Sequence, residues 1–317
     1  MAKRKLTPKA QGTYTILEAW MMFQTHLRAK QVSQGTLDYY QRIYKKIDFF
    51  YHEEAPIEVI TNEAMLVDYI EYLALTGNQQ TINNYLRGLR AFGNYCVEEG
   101  ILESFHCPIH EVSPEVKDCY TDDELRALLR KPNPQNFAEC RNHAIIVLLL
   151  STGARANTIR NIAVKDVDLQ GGYINFNTTK SHKVVRLGLP PKCVSTLRTF
   201  INAWLPDDCE YLFTNCYGNQ FSSRGLSDAI AEYNRSRGVT KTSLHLFRHT
   251  FAKNWIMSGG DLISLATVLT HSELEMVKRY ANLYSSDTKD KQLSYSTLQL
   301  IRTNDEKIKR RTHGGTR

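Results

Sequence analysis

Apolar residues recur every three or four positions from Tyr14 to about Gly100, the period of helices that bury one face. Thr15 followed by Glu18 reads as a capping box, with Leu17, Trp20, Met21 and Leu27 on the helix behind it. Ser33 can cap a second helix that carries Leu37, Tyr40, Ile43 or Tyr44, Ile47 and Phe50, and Pro56 lies in the break that follows. A third helix carries Leu66, Tyr69, Ile70 and Leu73 and ends near Thr76 and Gly77. A fourth carries Ile82, Tyr85, Leu89, Phe92 and Cys96 and ends at Gly100. Four short amphipathic helices with brief connections predict a small helical domain over residues 14–104. The next stretch, FHCPIHEVSPEVK, has two prolines and no period, so residues 105–118 read as a linker.

Thr121-Asp122-Asp123-Glu124 announces a new helix, with a cap and first-turn acids ahead of Leu125, Leu128 and Leu129. A buried helix is expected from about Arg141 to Thr152, stopped by Gly153, and another begins near Ala156. The period then changes. YINFN and VVRLGL flank the polar TTKSHK, which predicts a β-hairpin, and Pro190-Pro191 closes it. Helical patterns return near 192–204, 223–236, 245–258, 261–270 and 273–284. The fold class expected is mainly α with a small antiparallel sheet, the second domain spanning 119–286 between a basic tail (1–13) and a terminal segment (287–317).

At 317 residues the chain is long enough for two cores. Its longest apolar run, AIIVLLL, suits a buried helix rather than a bilayer span, and MAKRKLTPKA has no apolar stretch behind its charges, so neither membrane insertion nor secretion is expected. Seven cysteines without a C-x-x-C pair favour reduced thiols in a cytoplasm over disulfides or zinc. The net charge of +7 suggests a polyanionic partner. In the first domain Lys30, Lys45, Lys46, Arg87 and Arg90 are candidates to follow a phosphate backbone, with a solvated face as the competing reading for each.

The stretch SLHLFRHTFAKNW sets His245 and Arg248 three apart, on one face of a helix. Taken alone, it fits either a core helix with locally satisfied polar groups or an anion site, because guanidinium grips phosphate oxygens in a two-pronged way. Other pieces decide between them. LLLSTGARANTIRNI puts Arg155 just past a helix end, the hairpin turn offers Lys180, and LTHSELEMVKRYANLY supplies His271 and, nine residues later, Tyr280.

In that order, these pieces resemble the tyrosine recombinase (phage integrase) family: arginine after T-G, lysine in a hairpin, H-x-x-R-H, L-x-H-S, then tyrosine. The resemblance covers the second domain as the catalytic domain and the first as a core-binding domain, with a size similar to Xer-type or simple transposon and phage recombinases. It implies a site-specific DNA recombinase working on double-stranded DNA as a homotetramer across two sites, without cofactor or metal, and with room for accessory DNA-bending proteins. It also implies roles. Tyr280 attacks the phosphodiester, Arg155 and Arg248 grip its non-bridging oxygens, and Lys180 protonates the leaving 5′-oxygen. His245 serves as acid or base, His271 bonds a phosphate oxygen, and the terminal segment docks on a neighbouring protomer. Lys183 and Tyr284 compete with Lys180 and Tyr280, and His249 reads as structural. Thr158 stands where the family often has an acid, and Thr270 where it usually has glycine. A type IB topoisomerase-like enzyme and a catalytically silent DNA-binding relative are the alternatives.

Overall fold

The computed structural model describes residues 14–75, 77–109, 118–177 and 184–269. The chain divides into two compact units, Met1–Glu115 and Val116–Arg317.

In the first unit, helix α1 (Ile16–Ala29) starts on the expected capping box. The Glu18 N–H donates to Thr15 Oγ1 at 3.1 Å and the Thr15 N–H to Glu18 Oε2 at 2.9 Å. Ser33 caps α2 (Gln34–Tyr51), and Asn62 and Asn78 cap α3 (Glu63–Ala74) and α4 (Gln79–Glu98). A 3-10 turn over Ile57–Thr61, which the helical period did not reveal, buries Ile57 and Ile60. Trp20, Phe23 and Phe92 meet in the centre at ring-centroid distances of 4.8–5.6 Å. Two glycines let elements approach. A Cβ on Gly88 would sit 2.6 Å from the Ile43 side chain of α2, and one on Gly93 would sit 2.1 Å from the Phe105 ring. Phe105 and Ile109 pack on this core and Cys107 is buried in it, so the unpatterned chain after α4 folds back over the helices.

The second unit opens with α5 (Asp122–Leu128), whose Thr121–Glu124 capping box is formed. Helix α6 (Phe137–Thr152) is apolar around most of its surface and lies buried against α8 (Pro191–Trp204), α9 (Ser223–Ser236) and α10 (Leu244–Met257). It begins one turn earlier than the expected start near Arg141, because Asn136 caps it through the Glu139 N–H at 3.1 Å. Helix α7 (Ala156–Arg160) follows, then three antiparallel strands in the order β1 (Val167–Asp168), β2 (Tyr173–Asn177), β3 (Val184–Gly188). The hairpin pairs Tyr173 with Gly188 and Asn177 with Val184, as its alternation predicts. The two-residue β1 is too short to leave a sequence signal. Pro191 occupies the first turn of α8, where its missing N–H costs nothing. Helix α11 (Leu262–Val268) packs on α10 through Ala252, Ile256, Leu265, Ala266 and Leu269, a cluster apart from the main core. The helix expected over 273–284 lies outside the described residues. Among the described residues no helix is long and apolar enough to cross a membrane, and none of the seven cysteines is paired.

Candidate functional site

Three segments far apart in sequence meet at the end of α6. Gly153 turns the chain there with φ of 63° and ψ of 19°, the left-handed conformation that glycine adopts without penalty. Space imposes the same choice. A Cβ on Gly153 would lie 2.6 Å from Phe251 on α10 and 2.7 Å from the Leu269 side chain. Two residues on, Arg155 occupies the N-cap position of α7 with an extended backbone, half-buried.

From the other side, α10 brings Arg248, which is only 5% exposed. A buried guanidinium must have its donors met. Arg248 Nη1 donates to the Gly153 carbonyl at 2.8 Å, and Nη2 to the Leu269 carbonyl at 2.7 Å. Arg155 Nη1 reaches the same Leu269 oxygen at 3.5 Å. Two guanidiniums therefore converge on one main-chain oxygen, and guanidinium is the group that also grips phosphate or carboxylate oxygens. His245 sits one turn before Arg248, exposed at the start of α10.

Of the six residues expected to carry chemistry, Arg155 and Arg248 are thus brought together, with His245 on the same helix as Arg248. Lys180, His271 and Tyr280 lie outside the described residues, as do Lys183, Tyr284 and Thr270. Strand pairing reaches Asn177 and Val184, the described residues on either side of the segment that contains Lys180. Leu269 precedes His271 by two positions. Among the described residues no group of three or more His, Cys, Asp or Glu side chains could hold a metal ion.

The candidate DNA-contacting residues of the first unit divide into two sets. Lys30, Lys45 and Arg87 are exposed, Arg87 bonded to Asn84 Oδ1 at 3.1 Å. Lys46 and Arg90 are half-buried with structural partners. The Lys46 ammonium donates to the Tyr72 hydroxyl at 3.3 Å and lies 5.0 Å from that ring's centroid. Arg90 donates through Nε to the Cys107 carbonyl at 3.0 Å and through Nη2 to the same oxygen. Arg42 was not singled out by the sequence. It is exposed on α2 and lines a shallow cavity of about 160 Å³ with Tyr39, Thr81, Asn84 and Tyr85. Burial, then Tyr40, raises the Tyr39 phenol's pKa, while Arg87 and Arg42 pull it down, so both guanidiniums act on one spot between α2 and α4. The signal was present in the three-residue step from Arg42 to Lys45; only helix packing sets Arg42 beside Arg87.

Comparison with known proteins adds the lineage. Residues 119–287 match the model of the phage integrase family, and residues 19–112 that of the phage integrase SAM-like domain. Over 284 residues the chain is 24% identical to the tyrosine recombinase XerD of Staphylococcus epidermidis, covering 86% of this chain and 95% of that protein. The fold is similar to the Tn1549 transposon integrase in complex with a circular intermediate DNA (TM-score 0.70, 17% identity, 89% of this chain and 99% of the other). It is also similar to a lambda integrase tetramer bound to a Holliday junction (TM-score 0.69, 16% identity, 85% and 78%).

Proposed function

The chain belongs to the phage integrase family and is a site-specific tyrosine recombinase, and we propose that it cleaves and rejoins DNA strands through a 3′-phosphotyrosine intermediate formed on Tyr280. A phenol with a pKa of about 10 is a weak nucleophile near neutrality. It attacks a phosphodiester once a base takes its proton and the charge gathering on the phosphorane oxygens is offset. Arg155 and Arg248 offset that charge, His245 exchanges the proton, His271 bonds a non-bridging oxygen, and Lys180 protonates the departing 5′-oxygen. The phosphotyrosine bond keeps the energy of the broken link, so a second strand's 5′-hydroxyl reverses the step and rejoins the DNA.

The observation that carries this reading is the convergence of Arg155 and Arg248 on the Leu269 oxygen. It brings two guanidiniums from separate segments to one place, which supports a site for a phosphate's oxygens. The charge-neutralising work falls to side chains, so cleavage should persist in EDTA. The exposed Lys30, Lys45, Arg42 and Arg87 supply phosphate contacts from the first unit, which position the protein without reading sequence. As in the lambda integrase complex, four protomers act on DNA together.

The test is a nicked substrate that traps the covalent step. The parent should give an SDS-stable protein–DNA adduct, and Tyr280→Phe should give none while still shifting DNA in a gel. An adduct from Tyr280→Phe, or its loss in Tyr284→Phe instead, would contradict the assignment.

A further inference from the structure

The second unit's first described residues, Asp118–Thr121, are bound to the helix that carries His245 and Arg248. The Tyr120 N–H donates to Thr250 Oγ1 at 3.1 Å, and that hydroxyl donates to the Leu246 carbonyl at 2.8 Å. The Tyr120 ring packs at a tilt of 33° against Phe247, the residue before Arg248, at 4.5 Å between centroids. Its hydroxyl donates to the Lys241 carbonyl at 3.2 Å, and Asn234 Nδ2 donates to both of those oxygens at 3.0 and 2.7 Å. Lys241, three residues ahead of α10, sends its ammonium back to the Cys119 carbonyl at 2.8 Å and to the carboxylates of Asp118 and Glu124 at 2.9 and 3.0 Å. The loop feeding α10 and its first two turns are therefore held from one segment.

Resting on the recombinase reading above, we infer that Tyr120, Thr250 and Lys241 are positioning residues for DNA cleavage: they set the height and azimuth of α10 so that the Arg248 guanidinium meets the phosphate together with Arg155. Phe247 and Arg248 are successive on the helix and so point about 100° apart. Seating Phe247 on Tyr120 fixes where Arg248 is aimed. A helix with side chains has a radius of about 5–6 Å, so a rotation of roughly 10° carries a side-chain tip about 1 Å. A displacement of about 1 Å at a reacting centre can cost on the order of 100-fold in rate. An apolar contact would hold α10 in place but would tolerate such a rotation. The buried Thr250, Asn234 and Tyr120 hydrogen bonds do not, because a slipped polar group loses its partner in a dry setting.

Thr250→Val keeps the shape, removes the hydroxyl and leaves the Tyr120 N–H without its acceptor. Tyr120→Phe removes only the outer bonds. Single-turnover adduct formation is measured on two nicked substrates, one with a normal scissile phosphate and one with an uncharged methylphosphonate there. The neutral group asks less of a guanidinium, so Arg248→Ala should be rescued on it. Thr250→Val should cleave the phosphate about 10- to 100-fold slower, bind DNA like the parent, and recover most of its deficit on the methylphosphonate. Tyr120→Phe should show the same pattern more weakly, which keeps the test open if Thr250→Val does not fold. Parent-like rates in both variants, or equal deficits on both substrates, overturn the inference. A parent that forms no adduct, or an Arg248→Ala that the methylphosphonate does not rescue, defeats the recombinase assignment of Arg248 and this inference with it.

Discussion

Arg248 is held by two main-chain carbonyls, Gly153 and Leu269, which belong to the other two segments of the site. One side chain thus ties together the three segments from which the proposed site is built. Arg248→Lys keeps the charge but loses the planar fork, so one carbonyl goes unpaired, and the variant should lose about 1–3 kcal/mol in a denaturant melt. Its cleavage should fall well beyond what that loss explains. The placing of His245 one turn ahead of Arg248 on a single helix was legible in their three-residue spacing. The approach of Arg155 to Arg248 was legible only through the order of motifs, because no local pattern links residue 155 to residue 269. Arg90 makes the opposite point. It was a candidate to follow a phosphate backbone, yet its guanidinium serves the Cys107 carbonyl, since the unpatterned chain after α4 folds back. Arg90→Ala should therefore lower the first unit's stability more than DNA affinity, read by comparing melts with gel shifts. Lys180 has its own chemical test. Losing a general acid costs about 100- to 10,000-fold. A thiol's pKa of only about 8.5 lets a bridging 5′-sulfur leave without an acid. Sulfur should restore Lys180→Ala and not Arg248→Ala; rescue of Lys183→Ala alone would move the role by three residues.

Helix ends were the most legible elements, because a cap is a local chemical signature. The boxes at Thr15 and Thr121 appear in the structure with the expected bonds. The start of α6 was misplaced because Glu139, Arg141, Asn142 and His143 precede the apolar run, and β1 and the 3-10 turn at 57–61 are too short to establish a period. Arg141 illustrates what patterning cannot foresee in a helix. Burial pushes its pKa down to about 10, and it is satisfied by the Thr214 carbonyl and Asn142 Oδ1 at 3.0–3.1 Å while lying 5.1 and 4.5 Å from the rings of Phe137 and Phe221. It fastens the 214–221 loop to α6. The box at Thr121 also predicts a pH effect. Burial opposes the Glu124 charge, but the Thr121 N–H and the Lys241 ammonium outweigh it and hold the carboxyl below its usual range. A lowered pKa stabilises the fold above the ordinary carboxylate pKa, and that contribution fades as the pH falls through the shifted value. Glu124→Gln should cost about 1 kcal/mol at pH 7, and the cost should shrink as the pH is lowered through and below the carboxylate range, by thermal melts; a cost that does not change with pH would contradict the ion pair's role.

At the scale of the whole molecule, the division into two helical units, the second with a small sheet, followed from period and turn chemistry. The family followed from motifs spread over more than a hundred residues. Assembly left no mark in period or turn chemistry, and a homotetramer on two sites was implied by the resemblance alone. Leu293, Leu298 and Ile301 lie outside the described residues and form an apolar set ahead of a basic end, proposed here to dock on a neighbouring protomer. Deleting residues from Asp290 onward should spare single-site DNA binding and weaken the higher-order complex in a gel shift; unchanged assembly would rule the docking out.

The covalent step remains the centre of the account, and the linked residue can be read directly. Trypsin digestion of the trapped parent adduct should release residues 280–289, which contain both Tyr280 and Tyr284. Fragment masses from that peptide should place the residual nucleotide on Tyr280, with the same yield in EDTA as in magnesium. A nucleotide on Tyr284, or an adduct that forms only with magnesium, would contradict the mechanism.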